Sequence, residues 1–359
     1  MAHALRLAAR GLGNTWPNPA VGCVLVKDGQ IVGRGWTQAG GRPHAEVRAL
    51  DQAGSRARGA TAYVTLEPCA HHGQTPPCAS ALIAAKVART VTAITDPDPR
   101  VSGKGHAMLR AAGIAVTEGV LTAEATRLNA GFLKRVTQGL PVVTLKLAAS
   151  LDGRTATATG ESRWITGAQA RRTVHALRMT HDAVMVGSRT ALADDPDLTV
   201  RDMGAARQPV RIVLDRMLRH SPASRLGRTA KDHPVWLLHG PHAPDAARKA
   251  WTTTGATLIE TPEANGHLDL TAALQALAAK GLTRILSEGG ATLAAALVKA
   301  RLVDDLALFS GGLLIGAEGH PALGPLGLTT LARAPRFTLR ETRRLGPDTF
   351  ALWSAPAPR

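Results

Sequence analysis

Segments that favour strands alternate with segments that favour helices along the whole chain, and this alternation is interrupted once. The interruption is Gly139-Leu140-Pro141, where proline cannot continue the preceding helix and a new strand pattern follows directly. Alternating strands and helices are typical of α/β folds, and 359 residues are long for one domain and comfortable for two. The sequence therefore predicts two α/β domains, residues 1–140 and residues 141–359.

Within this division, the first domain is predicted as a three-layer α/β/α unit. It opens with a helix over residues 2–11 and a hairpin over residues 20–36, and it ends with a single long helix over residues 122–137. The second domain again alternates, and its tail is predicted to form a closing antiparallel pair over residues 337–340 and 349–353.

A metal-ligand pattern lies in the first domain. It reads Pro43-His44-Ala45-Glu46, then Glu67-Pro68-Cys69, then Pro76-Pro77-Cys78. One histidine and two cysteines can fill three of the four tetrahedral positions of zinc, and a catalytic site leaves the fourth to water. A His-x-Glu pair followed by Pro-Cys is typical of zinc deaminases, in which the glutamate is not a ligand. We therefore predict that His44, Cys69 and Cys78 bind zinc.

Glu46 is the predicted catalytic residue of this site. Zinc lowers the pKa of a bound water to about 7, which makes a nucleophile available for the ring carbon that carries an amino group. Glu46 would take the proton of that water and pass it to the ring nitrogen and then to the departing ammonia. The pattern thus predicts hydrolytic deamination of a nucleobase-like ring.

The spacing of the two cysteines leaves a second interpretation open. The usual deaminase signature is Pro-Cys-x-x-Cys, whereas here residues 70–77 separate Cys69 from Cys78. The alternative is a structural zinc site closed by a fourth protein ligand, which His71 or His72 could supply.

The net charge and the cysteine content indicate which partners and which compartment suit this chain. The formal net charge of +16 indicates a phosphate-bearing partner or the arginine-rich composition of a GC-biased genome. Three cysteines are too few for a disulfide framework. Two of them would be thiolate ligands, which favour a reducing compartment. The third, Cys23, is predicted to be a buried strand residue. We find neither a signal peptide nor an apolar run long enough to span a membrane, so we expect a cytoplasmic protein.

The second domain offers a weaker local signal. A strand over residues 283–286 leads directly into Ser287-Glu288-Gly289-Gly290 and the start of a helix. Such a turn presents backbone N–H groups to a phosphate, but it lacks the Gly-x-Gly-x-x-Gly spacing of a dinucleotide-binding fingerprint. On pattern alone, a helix-capping turn explains these residues equally well.

Three segments of the first domain, residues 17–23, 43–46 and 65–78, together resemble the riboflavin-pathway bifunctional deaminase/reductase family. That family has the same long spacing between its cysteines, so the departure from the general signature supports the resemblance. The resemblance implies a cytidine-deaminase-like domain in which Asn18 contacts the pyrimidine, although a turn residue between two prolines remains the alternative. It also implies pocket-lining roles for His71, His72 and Gly73.

The second domain resembles the reductase half of the same family in residues 146–154, 160–166, 193–201 and 287–290. The resemblance implies a dihydrofolate-reductase-like α/β domain that binds NADPH. The implied NADPH contacts are Ala148, Trp164, Thr190, Asp194, Gly290, Ala291, Thr292, Leu293, Ala294, Ala295 and Ala296. Without the resemblance, Asp194 could be a turn residue and Trp164 an ordinary core residue.

The resemblance also implies a substrate site in the second domain. The implied residues are Ser162, Arg178, Leu198, Arg201 and Glu288. Arginines suit the phosphate of a sugar phosphate because they bind it bidentately, although Arg178 on a helix face could equally be a solvated charge. Lys146 or Glu288 could move the proton that opens the ribose. The family often has serine where this chain has Arg216, so no contact is assigned there.

The resemblance predicts two consecutive reactions on phosphorylated pyrimidines. Zinc-dependent deamination of 2,5-diamino-6-hydroxy-4-(5-phosphoribosylamino)pyrimidine precedes NADPH-dependent reduction of the ribosyl side chain to ribityl. We expect no nucleic-acid or membrane partner, and a homo-oligomer that is either a homodimer or a tetramer.

Two rival functions share part of the pattern. A polynucleotide deaminase of the tRNA-editing type would use the same zinc ligands and the basic charge, but an aromatic content of 3% is poor for base stacking. A non-catalytic binding domain stabilised by zinc would require four protein ligands.

Overall fold

The computed structural model describes residues 1–70, 76–99, 101–205 and 207–356. The chain divides into two units, residues 1–140 and residues 141–359, and each unit has its own sheet. Within the described ranges, no helix combines the length and the hydropathy that a membrane span requires.

Unit 1 is built on a five-stranded mixed sheet. Its strands are β1 (Gly22–Lys27), β2 (Gln30–Trp36), β3 (Thr61–Val64), β4 (Arg89–Thr92) and β5 (Ala115–Thr117). They lie in the order β2-β1-β3-β4-β5. Strand β1 is antiparallel to both of its neighbours, whereas β3, β4 and β5 are parallel. The start of β1 and the ends of β2, β3 and β4 therefore meet at one edge of the sheet.

Helices cover both faces of this sheet. They are α1 (Ala2–Ala8), α2 (Ala45–Ala53), α3 (Cys78–Ala84), α4 (Lys104–Ala111), α5 (Thr122–Leu128) and α6 (Ala130–Gln138), with 3-10 turns at Ala9–Gly11, Ala39–Gly41 and Gly54–Ala57.

Two glycines show how closely the helices approach the sheet. A Cβ on Gly22 would lie 1.9 Å from the Ala4 carbonyl oxygen, and a Cβ on Gly35 would lie 2.1 Å from the Ala45 carbonyl oxygen. Because Gly35 pairs with Cys23, the residue after Gly22, these contacts lie on opposite faces. Helices α1 and α2 thus enclose the sheet, and the predicted three-layer unit is confirmed.

The single helix predicted over residues 122–137 is wrong, because two helices meet there at Asn129. Asn129 is 2% exposed. Its Oδ1 accepts the Ala20 N–H at 3.0 Å, and its Nδ2 donates to the Ala20 carbonyl at 3.1 Å. The side chain therefore completes the backbone hydrogen bonds of a distant segment, and the helix is interrupted to place it there.

Unit 2 is built on a nine-stranded sheet. Its strands are β6 (Val142–Ser150), β8 (Ala183–Gly187), β9 (Val210–Leu214), β10 (Val235–His239), β11 (Thr257–Glu260), β14 (Arg284–Ser287), β15 (Asp305–Gly311), β17 (Thr338–Leu345) and β18 (Asp348–Ser354). Two short pairs accompany it, β7 (Arg154–Ala156) with β16 (His320–Pro321) and β12 (Glu263–Ala264) with β13 (His267–Leu268).

The helices of unit 2 connect the parallel strands. They are α7 (Ala168–Met179), α8 (Ser188–Asp194), α9 (Arg225–Arg228), α10 (Asp245–Thr253), α11 (Leu270–Ala279) and α12 (Ala291–Lys299), with a 3-10 turn at Leu331–Arg333. Helices α8, α9 and α10 were not predicted from the sequence.

The order of the strands changes direction near the middle of the sheet. The order is β11-β10-β9-β8-β14-β6-β15-β18-β17. The strands from β11 to β15 are parallel, and β17 and β18 form the predicted antiparallel pair. The chain adds β8, β9, β10 and β11 in turn toward one side of the sheet, and it then returns to place β14 between β8 and β6. The direction in which successive strands are added therefore reverses beside β14. Open α/β sheets bind ligands outside the carboxyl ends of the strands at such a point.

Candidate functional sites

The three predicted metal ligands converge at one edge of the unit 1 sheet. His44 immediately precedes α2, Cys69 follows β3, and Cys78 is the first residue of α3. The Nδ1 atom of His44 lies 3.3 Å from the Cys78 Sγ and 3.8 Å from the Cys69 Sγ. Zinc bonds of about 2.0 Å to nitrogen and 2.3 Å to sulfur, at tetrahedral angles, require a separation of about 3.6 Å. The donor atoms and their spacing therefore fit zinc.

The surroundings of Cys69 favour its thiolate form. The Cys78 N–H donates to the Cys69 Sγ at 3.3 Å. Hydrogen bonding from Cys78, and next from His44, lowers the pKa of the Cys69 thiol to about 4. A thiolate is the form that binds a metal, so Cys69 is prepared for that role by its position beside the first turn of α3.

Glu46 lies in the first turn of α2, beside the ligand group but outside it. It is 3% exposed. Burial, and next the charge of Cys69, raises the pKa of the Glu46 carboxyl to about 7. A carboxyl group with such a pKa can both accept and donate a proton near neutral pH.

A cavity opens at this edge of the sheet, and His44, Glu46, Cys69 and the predicted substrate contact Asn18 line it. Asn18 packs against Gly41, where a Cβ would lie 1.8 Å from its Nδ2. Gly41 also has a φ of +86°, so both space and backbone conformation require glycine there. The predicted pocket residues His71, His72 and Gly73 lie outside the described residues.

Two acidic residues of this site were missed by sequence reasoning. Asp96 lines the cavity, and burial above all raises the pKa of its carboxyl to about 6. Glu67 lies at the cavity wall, and its carboxylate accepts four backbone N–H groups, those of Asp96, Gly103, Gly105 and His106, at 2.9–3.3 Å. Both residues follow the carboxyl ends of parallel strands, which is the signal that could have identified them.

A buried ion pair lies at the carboxyl edge of the unit 2 sheet. The Arg178 Nε and Nη2 donate to the two oxygens of Glu288 at 2.6 and 3.0 Å, and the side chains are 11% and 9% exposed. Burial alone would raise the pKa of Glu288, but Arg178, and next Lys146, lower it to about 2. Burial lowers the pKa of Lys146 despite the charge of Glu288.

Two of the other predicted substrate residues, Leu198 and Arg201, follow α8. The Arg178 Nη1 donates to the Thr199 carbonyl at 2.7 Å, which places Arg178 beside buried Leu198. Arg201 differs from Arg178, because its side chain is 53% exposed and its ion pair with Asp197 is long, at 3.7 Å. Ser162 is exposed.

Only some of the predicted cofactor residues contact one another in the structure. The Thr190 Oγ1 accepts the Gly290 N–H at 3.0 Å, which joins α8 to the turn before α12. Ala148 is part-buried on β6, and Asp194 is exposed at the end of α8. Trp164 is 67% exposed and lies under the Arg171 guanidinium at 4.4 Å, so the alternative that it is an ordinary core residue is wrong.

Comparison with known protein families accounts for both units. Residues 1–94 match the family model described as the cytidine and deoxycytidylate deaminase zinc-binding region. Residues 141–351 match the model described as the RibD C-terminal domain. The predicted fold class is therefore confirmed, with a cytidine-deaminase-like zinc-binding domain followed by a reductase domain.

Individual relatives match along almost the whole chain. The riboflavin biosynthesis protein RibD of Escherichia coli is 48% identical over 97% of this chain and 96% of its own length. A solved structure of Acinetobacter baumannii RibD is 41% identical, has a TM-score of 0.89, and is covered over 97% of its length by 99% of this chain.

A third relative has a name that states two activities. The Thermotoga maritima protein, described as a diaminohydroxyphosphoribosylaminopyrimidine deaminase/5-amino-6-(5-phosphoribosylamino)uracil reductase, is 32% identical with a TM-score of 0.86, and the match covers 99% of this chain and 97% of that one. The RNA-editing and non-catalytic interpretations leave the second domain unexplained, whereas these relatives account for it. The chain belongs to the RibD family and is a bifunctional deaminase and reductase of riboflavin biosynthesis.

Proposed function

We propose that unit 1 deaminates 2,5-diamino-6-hydroxy-4-(5-phosphoribosylamino)pyrimidine. Unit 2 then reduces the ribosyl side chain of 5-amino-6-(5-phosphoribosylamino)uracil to ribityl with NADPH. The observation that carries this proposal is that Glu46 lines one cavity with His44 and Cys69, which form a candidate metal-ligand group with Cys78, in a chain whose second unit is a reductase domain. Both substrates are pyrimidines with a phosphate, which suits the net charge of +16.

In the first reaction, Glu46 moves the protons. His44, Cys69 and Cys78 would hold zinc, which would supply a water activated for attack on the ring carbon that carries the amino group. Glu46 accepts one proton of that water and delivers it to the ring nitrogen, and it then transfers the second proton of that water to the amino group, which leaves as ammonia. Asn18 lines the same cavity and is placed to orient the polar edge of the pyrimidine.

In the second reaction, the residues of unit 2 hold two reactants face to face. NADPH, when bound, supplies the hydride that reduces the sugar carbon. The exposed guanidinium of Arg201 binds the substrate phosphate, while Arg178 holds Glu288 in its ionised form. Lys146, with its lowered pKa, is placed to move the proton that opens the ribose.

The carboxyl edge of the unit 2 sheet fits a dinucleotide cofactor. The first turn of α12 presents backbone donors, and a helix N-terminus favours phosphate. Beyond the neighbouring strands β8 and β9, Arg219 is 61% exposed and its Nη2 donates to the Ser188 Oγ at 3.3 Å. An exposed arginine at this edge suits the extra phosphate of NADPH. The ion pair of Arg219 with Asp215 is long, at 4.0 Å, whereas Arg216 pairs with Glu263 at 3.1 Å.

The test is an assay of the purified full chain that measures ammonia release and NADPH oxidation separately. Wild-type protein with the phosphoribosylamino-pyrimidine and NADPH is expected to give both signals. Glu46→Gln should abolish ammonia release while zinc stays bound, and it should still oxidise NADPH when supplied with the deaminated product. Arg201→Ala should raise KM for that product and leave ammonia release intact.

Specific outcomes would contradict the assignment. Full ammonia release by Glu46→Gln would remove Glu46 from the mechanism. Ammonia release without NADPH oxidation in the wild type would leave the role of unit 2 unexplained. Stabilisation of the protein by RNA and not by NADPH would favour the polynucleotide interpretation.

Compartment and assembly belong to the same proposal. The need for thiolate ligands supports a reducing, cytoplasmic location. A homodimer or tetramer is our expectation, and light scattering of the purified protein would measure it.

A further inference from the structure

The segment that carries Arg201 is held in place by side chains. We define residues 195–202 as the Arg201 loop. Its backbone has positive φ at Leu198 (+56°) and Asp202 (+57°), a conformation that side-chain-bearing residues seldom adopt unless the surroundings enforce it. The conformation of the Arg201 loop must therefore be maintained by its contacts.

Three side chains bind consecutive backbone groups of this loop. Arg178 donates to the Thr199 carbonyl at 2.7 Å. Gln208 accepts the Val200 N–H at 2.7 Å and donates to the Val200 carbonyl at 3.1 Å. The His175 Nδ1 accepts the N–H of Arg201 itself at 3.2 Å. His175 thus binds the backbone of the residue that we propose for substrate binding.

The position of His175 on α7 links this contact to the ion pair. His175 and Arg178 are three residues apart and share one face of the helix. Because Nδ1 accepts, the proton of the neutral imidazole is on Nε2. Burial, and next the charges of Arg178 and Arg201, lower the pKa of His175, while Glu288 and Asp202 act in the opposite direction. The imidazole is therefore kept in the neutral form that can accept this N–H.

We propose that His175 is a positioning residue of the reductase, which holds the Arg201 backbone so that its guanidinium meets the substrate phosphate. The inference rests on the proposed function of Arg201. Arg178 already commits three of its N–H groups to Glu288 and Thr199, whereas Arg201 is half exposed. The placement of Arg201 therefore determines phosphate binding more than that of Arg178.

The test compares substitutions that keep or remove the acceptor. In His175→Leu, the Arg201 N–H loses its partner, and KM for the phosphoribosylamino substrate should rise about tenfold, the usual effect of one hydrogen bond, with kcat within about twofold. In His175→Asn, the Oδ1 can take the place of Nδ1, so most of the wild-type KM should return. Arg172, exposed on the same helix, provides the control Arg172→Leu, which should not change KM.

Two further measurements separate this proposal from a general loss of structure. Ammonia release should not change and reports that unit 1 is folded, and the nearly unchanged kcat of NADPH oxidation reports that unit 2 is folded. His175→Leu combined with Arg201→Ala should add nothing to the KM of Arg201→Ala alone, because both changes remove one function. Additive losses, a fall in kcat at constant KM, or failure of His175→Asn to restore KM would overturn the proposal.

Amide hydrogen exchange makes the test independent of turnover. Exchange in peptides covering residues 199–201 should be faster in His175→Leu and normal in His175→Asn. Unchanged exchange would overturn the proposal even if KM rose. If the wild type did not oxidise NADPH with this substrate, the proposed function would fail, while the exchange experiment would still show whether His175 holds Arg201.

Discussion

The two sites of this protein are assembled in different ways. In unit 1, the proposed catalytic group and the candidate metal ligands lie between residues 44 and 78, at helix starts and strand ends that meet at one edge of a five-stranded sheet. In unit 2, the proposed residues extend from Lys146 to Ala296 and come from several elements of a nine-stranded sheet.

The two sites also differ in the contacts that hold their functional groups in place. The unit 1 ligands lie within 4.8 Å of one another and can share one metal ion, so their chemistry is visible in their identity. In unit 2, Arg178 and Glu288 bind each other, and Arg201 depends on the backbone of its loop. A metal site tolerates little substitution of its ligands. A site that positions its substrate instead depends on many contacts, each of which contributes a part of the function.

The largest effect should follow removal of a zinc ligand. Cys78→Ala should lose zinc and reduce deamination by at least about a thousandfold, because water without zinc has a much higher pKa than zinc-bound water, while NADPH oxidation continues. Metal analysis and the two-signal assay would measure this. Cys23→Ala is the control, since Cys23 is also buried but lies outside the ligand group. Loss of both activities in Cys78→Ala would mean that the two sites are not independent.

The second effect concerns the stability of unit 2. Glu288→Gln leaves the buried Arg178 without its counter-charge, so the free energy of unfolding should fall by about 3–5 kcal/mol at pH 7. Because the pKa of Glu288 is lowered from 4.5 to about 2, the pair stabilises the folded state fully above pH 4.5, and this contribution is lost as the pH falls toward 2. Urea unfolding at pH 7 and pH 3 would measure the difference between variant and wild type, which should shrink at the lower pH. A constant difference would contradict the role of the ion pair.

A smaller effect is expected at the wall of the unit 1 cavity. In Glu67→Gln, an NH2 group replaces one of the two oxygens that accept backbone N–H groups. Because the NH2 group cannot accept them, the free energy of unfolding should fall by about 1–3 kcal/mol. We expect a higher KM for deamination with zinc content unchanged, since Glu67 holds Asp96 and the start of α4. Titration of zinc and steady-state kinetics would test this. A loss of zinc would instead place Glu67 in the support of the metal ligands.

The smallest effect should occur at the cofactor turn. Thr190→Val removes the acceptor of the Gly290 N–H, and the Kd for NADPH should rise only about two- to tenfold because one neutral hydrogen bond is lost. Fluorescence titration with NADPH would measure it, and Thr190→Ser should restore the wild-type Kd. An unchanged Kd in Thr190→Val would separate this contact from cofactor binding.

The fold was predictable where periodicity and breaks are strong. The hairpin, the alternation in both units and the closing pair of β17 and β18 follow from apolar patterns and turn residues. The helix over residues 122–137 was wrongly continued through Asn129, because its pattern carries no trace of the partner at Ala20. Helix α8, which carries Thr190, is too short for its periodicity to be distinguished from a turn.

The amino-acid sequence by itself determined the chemistry of unit 1, since His44, Glu46, Cys69 and Cys78 are residue types with few alternative uses at such spacing. Only the tertiary structure decided which carboxylates surround them and how Arg201 is held. Glu67, Asp96 and His175 act through neighbours far away in sequence, and their hydrogen bonds exist only after the strand ends have met. The identity of a residue determines which reactive group it carries. The position and the pKa of that group depend on the residues packed around it in the folded protein.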